Sequence, residues 1–68
     1  MAQNNISPYP LSFQEFKDIC FEHGQKPWEA VKIGYITRDD YYNMGRGQRV
    51  SKALGRCLFF FVRDKGLI

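Results

Sequence analysis

Five cations, Arg46, Arg49, Lys52, Arg56 and Arg63, fall in a stretch with no acidic residue between Tyr41 and Arg63. A guanidinium group makes forked, charge-assisted hydrogen bonds to phosphate, and exposed aromatic faces stack on unpaired bases. Phe59 and Phe60 fill the gap in this basic row, so the residue types suit a phosphate backbone. The same region allows a second chemistry. Tyr41, Tyr42, Phe59 and Phe60 with arginines on the rim would also make a protein-docking surface, because aromatics and Arg dominate interface energetics.

Other reactive side chains are sparse. Cys20-x-x-His23 has a metal-site spacing, and Cys57 could join it from another helix. A structural zinc needs four ligands, however, and a fourth would have to be a carboxylate or come from another chain. No metal site is therefore expected. Glu22-His23 and Asp39-Asp40 are neighbours in sequence, and adjacent helical residues point about 100° apart instead of converging on a substrate. No glycine-rich phosphate loop, nucleophile elbow or paired-histidine motif occurs, and a domain this small has little room for a pocket of about 300 Å³. The expectation is a protein that is not an enzyme and takes no cofactor.

The 68 residues carry a net charge of +3, and it is unevenly divided. Residues 1–34 hold three Lys against one Asp and three Glu, and residues 35–68 hold seven Lys or Arg against three Asp. The balances are −1 and +4, so the second half presents a positive field to phosphate or to an acidic protein surface. Eleven aromatic residues supply core volume to a chain too short to bury much surface otherwise. Cys20 and Cys57 fall within apolar helical patterns and are expected as reduced thiols. With no signal-peptide pattern at the start, the expected location is the cytoplasm. The longest apolar run, Cys57 to Val62, is far below the roughly 20 residues a membrane span needs.

These side chains must be positioned by helices. Ser12 and Glu15 form an S-x-x-E capping box flanked by Leu11 and Phe16 at staple spacing, which predicts a helix carrying Phe13, Phe16, Ile19 and Cys20 on one face and stopping at Gly24. Pro27 suits the first position of a short second helix, with Trp28, Val31 and Ile33 inward, ending at Gly34. Thr37 and Asp40 repeat the capping box before a third helix that ends at Gly45. A fourth helix is expected over the stretch from Gln48 to about Asp64, closed by Gly66 and Leu67. Its inward face would be Val50, Ala53, Leu54, Cys57, Leu58 and Phe61, at i, i+3, i+4, i+7, i+8 and i+11. Arg49, Lys52, Arg56 and Arg63 would then lie outside. Phe59-Phe60-Phe61-Val62 is the one segment with strong strand propensity.

Short helix, glycine-containing turn and longer helix with Arg49, Ser51 and Lys52 near its front is the order of a helix-turn-helix. The segment from Arg49-Val50-Ser51-Lys52 through Lys65-Gly66-Leu67-Ile68 resembles the recognition helix and following glycine of winged helix-turn-helix regulators. That resemblance covers about twenty residues without a diagnostic motif. It departs from those regulators in a helix about a turn too long and in having no wing before Ile68, so membership is not claimed.

The expected architecture is all-α: a flexible arm over residues 1–10, then one domain over residues 11–68. That domain is a small compact bundle of three to four helices with a long C-terminal helix, helix-turn-helix-like. The expected function is a small nucleic-acid-binding regulator or accessory protein, DNA ahead of RNA, using Arg46, Arg49, Lys52, Arg56 and Arg63 on phosphates. The alternative is a protein–protein interaction module, an inhibitor or adaptor, docking through Tyr41, Tyr42, Phe59 and Phe60 on an acidic protein surface. No membrane partner is expected, and a homodimer is left open.

Overall fold

The computed structural model describes residues 10–68. These form four helices and no strand: α1 (Phe13–Glu22), α2 (Glu29–Lys32), α3 (Arg38–Gly45) and α4 (Lys52–Asp64). The arm expected over residues 1–10 lies outside the described residues except for Pro10. The Phe59–Val62 segment is helical, its strand propensity overridden by burial within α4.

Both capping boxes form. In α1 the Glu15 amide donates to Ser12 Oγ at 3.0 Å and the Ser12 amide donates to Glu15 Oε1 at 2.8 Å. In α3 the Asp40 amide donates to Thr37 Oγ1 at 3.0 Å, while the return bond from the Thr37 amide to Asp40 Oδ2 stretches to 3.4 Å. Aspartate is one methylene shorter than the glutamate of a full capping box, and its reach shows in that distance. At the other end of α4 the Leu67 amide donates to Val62 O at 2.8 Å across Gly66, whose φ of 73° is the left-handed value such a terminus requires.

α4 begins later than the sequence pattern suggested. Ser51 is its N-cap, its Oγ accepting from the Leu54 amide at 3.1 Å, so Arg49 and Val50 belong to the preceding turn. Gly47, at φ 91°, takes the left-handed step of that turn. The inward face also differs. Gly55, Leu58, Phe59, Phe61 and Val62 are buried, Leu54 and Cys57 are half-buried, and Ala53 is exposed.

The cause lies at Gly55. The Leu11 amide donates to Gly55 O at 3.2 Å, and Pro10 lies directly on the glycine. A Cβ on Gly55 would sit 2.7 Å from Pro10 Cβ and 2.9 Å from Leu11 O, closer than atoms can approach. Only glycine lets the chain cross here, and the crossing turns that side of α4 toward α1. α1 is accordingly the helix packed most closely on α4. Leu11, Phe16 and Cys20 meet Leu58, Phe59, Phe61 and Val62 in the core.

Aromatic rings join the remaining elements to this pair. Tyr42 packs on Trp28 with centroids 5.9 Å apart, Trp28 on Tyr41 at 5.0 Å, and Tyr41 on Phe13 at 5.4 Å. The row continues through Phe16 to Phe61 at 5.7 Å and ends on Tyr35 at 5.5 Å. Most contacts are edge-to-face, the arrangement that brings a positive ring edge to a negative ring face. In the short second helix the inward residue is Ala30, fully buried, while Ile33 is exposed and Trp28 half-buried. The α2 segment is too short to bury a long stripe, so full burial falls on Ala30 while Val31 packs against the core partly exposed.

Gly55→Ala tests this packing by the sign of its effect. Helix propensity alone favours alanine by about 1 kcal/mol. Overpacking against backbone atoms costs about 1–3 kcal/mol and also breaks the Leu11 hydrogen bond. The expected result is a net loss near 1 kcal/mol, a fall of about 4–8 °C in Tm followed by circular dichroism. A raised Tm would mean that Pro10 and Leu11 do not sit on α4.

Candidate nucleic-acid interface

All five cations of the basic row are exposed. Arg46 caps the end of α3 and its guanidinium donates to Asn43 Oδ1 at 3.4 Å. Arg49 lies in the turn, Lys52 is the first residue of α4 and Arg56 follows one turn later. Among the described residues, Arg46, Arg49, Lys52 and Arg56 lie within salt-bridge distance of no carboxylate. Their charge is therefore not neutralised within the described fold.

Arg63 is held differently. Its guanidinium carbon lies 4.9 Å over the centre of the Phe60 ring, and its Nε is 3.5 Å from Asp64 Oδ1. Both members of that ion pair are about half exposed, so it contributes little to stability and mainly orients the side chain. Asp64 also accepts a hydrogen bond from the Tyr35 hydroxyl, which ties the end of α4 to the α2–α3 connector.

The aromatic members of the expected site part company. Phe59 is buried at 2 % exposure and belongs to the core, not to the surface row. Turning α4 about Gly55 carries it inward, and it meets Phe60 edge-on at 6.2 Å. Tyr41 is half-buried between Phe13 and Trp28, a packing ring more than a docking ring. Tyr42 is 53 % exposed and Phe60 half-buried. Sequence periodicity anchored on Val50 missed this division, and the signal it passed over was an interior glycine in a helix, which usually marks a close approach.

Cys20 is fully buried in the core, and burial raises its thiol pKa to about 11. Cys57 is half-buried, and both cysteines are free. His23 places Nδ1 3.0 Å from Ile19 O, a contact within its own helix. Among the described residues no three His, Cys, Asp or Glu side chains gather as metal ligands. Nor, among those residues, is any helix long and apolar enough to cross a membrane. Comparison with family models, curated proteins and solved structures finds no match.

Tyr35 and Tyr41 give the fold a defined response to base. The hydrogen bond to Asp64 raises the Tyr35 pKa above the ordinary 10.0, helped by burial and the nearby carboxylate. Burial, with a smaller contribution from Cys20, raises that of Tyr41. A pKa higher in the folded than in the unfolded state contributes stability that is present below the unfolded value and is lost as pH rises through the folded one. Thermal stability should therefore fall as pH climbs past about 10, and Tyr35→Phe should make that fall shallower. Equal slopes for the two proteins would show that the Tyr35–Asp64 bond does not form in solution.

Proposed function

We propose that this chain is a small, non-catalytic nucleic-acid-binding protein, a regulator or accessory factor of the cytoplasm. Its phosphate contacts are Arg46, Arg49, Lys52, Arg56 and Arg63. One observation carries the reading: four of these cations stand exposed on one continuous segment with no carboxylate partner among the described residues. Cations free of internal partners are the ones that release counterions when they meet a phosphate backbone. Lys52 at the front of α4 also sits where the helix dipole is positive, so an anion there relieves an unfavourable local charge. The order of short helix, turn and longer basic helix is helix-turn-helix-like, and this supports reading DNA ahead of RNA.

A second reading, a protein interaction module acting as inhibitor or adaptor, rests on Tyr42 and Phe60. These are the two expected docking aromatics that keep appreciable exposure without lying between other rings. Its partner would be an acidic protein surface or a second copy of the chain. Self-association abolished by Phe60→Glu would favour it.

Fluorescence anisotropy at about 50 mM salt tests the first reading, because phosphate contacts are strongest at low ionic strength. The full chain should bind labelled nucleic acid. Lys52→Gln with Arg56→Gln should weaken that binding at least about tenfold and lower the slope of log K against log salt by about 1.4–1.8. No binding to any duplex or single strand under these conditions would overturn it.

A further inference from the structure

Resting on the nucleic-acid binding just proposed but not on its helix-turn-helix docking, we infer that α4 binds single-stranded nucleic acid, with Arg63 on Phe60 as a stacking platform for an unpaired base. The first ground is where the cations lie on the helix. At 3.6 residues per turn, Lys52, Arg56 and Arg63 fall within roughly 40° of one another around α4, with Arg56 and Arg63 about 6 Å and about 16 Å along the axis from Lys52. They make one row along one edge.

The opposite edge of the exposed face carries Cys57 and Asp64, a half-buried thiol and a carboxylate already engaged by Tyr35 and Arg63. A helix about 10–12 Å across fills a major groove about 12 Å wide and meets a phosphate wall on each side. Seated that way, α4 would set a thiol and a negative charge against one of the walls. A single strand has one phosphate row, and the one cationic edge matches it.

The second ground is the geometry at the C-terminal end of that row. The Arg63 guanidinium lies over the Phe60 ring, and Phe60 in turn rests edge-on against the buried Phe59. Asp64 fixes the guanidinium from the side through Nε. The outer face of a planar cation, with its side chain 52 % exposed, is thus held ready above an anchored ring. Bases stack on arginine planes as they do on aromatic rings, and such a platform tolerates any base. On the rest of the exposed face of α4, Ala53 and Cys57 offer no amide or hydroxyl to read base edges. Binding along α4 is accordingly sequence-tolerant.

Anisotropy with the full chain separates the outcomes. The probes are oligothymidylate and oligouridylate of about 15 nucleotides and a mixed-sequence duplex of the same length, all at about 50 mM salt. At least one single strand should bind about tenfold more tightly than the duplex. Arg63→Lys keeps the charge and removes the plane, so it should cost about fivefold or more on the single strand and clearly less on the duplex, narrowing the preference between them. A duplex bound as tightly as both single strands, or an Arg63→Lys protein equal to the parent, would overturn the single-strand inference while leaving nucleic-acid binding in place. No binding to any of the three probes would remove both.

Discussion

A glycine with no room for a side chain decides how this molecule is put together. Where Pro10 and Leu11 cross α4, a backbone amide reaches a backbone carbonyl over Gly55, and any Cβ would collide with the crossing chain. That contact fixes the rotation of α4 about its own axis. Gly55, Leu58, Phe59 and Val62 recur at i, i+3, i+4 and i+7 and turn inward together. Lys52, Arg56 and Arg63 are left outside by the same rotation. The core and the cationic edge are consequences of one contact.

Stability in a domain this size has to come from tertiary packing, since helices of four to thirteen residues are marginal in isolation. The aromatic row supplies it in a distributed way. Rings from α1, α3, α4 and the α1–α2 and α2–α3 connectors touch in sequence from Tyr42 to Tyr35, and the last member is tied by hydrogen bond to Asp64 at the end of α4. Short elements with few buried residues of their own, α2 with Ala30 and α3 with Met44, are held by rings that bridge to the α1–α4 pair. Loss of one ring would be felt along the row.

Much of the fold was legible in the amino-acid pattern, and the misreadings share a cause. Ser12 with Glu15 and Thr37 with Asp40 marked two helix starts because capping chemistry is local and acts through residues three apart. The glycines at 24, 34 and 66 marked ends for the same reason, each adopting a positive φ. The face of α4 was not local. Val50 and Ala53 fit a helical stripe as well as Gly55 and Phe59 do, and the choice was made by a crossing residue more than forty positions away. Arg49, Lys52, Arg56 and Arg63 were expected outside and are exposed, because charge avoids burial whatever the rotation. Phe59 was misplaced because an aromatic ring is at home on either side, and Ser51 as N-cap was passed over in favour of a helix reaching back to Gln48.

The Leu11 amide reports most directly on the contact at the centre of this account. It lies outside every helix, at the start of the described chain, yet Leu11 is only 2 % exposed and its amide donates to Gly55 O. Native-state hydrogen exchange followed by NMR should show it opening only with the whole fold, its protection within about a factor of ten of the Leu58 and Phe61 amides. Exchange at the rate of a frayed terminus would contradict the account, because α4 would then be oriented by something other than the crossing at Gly55.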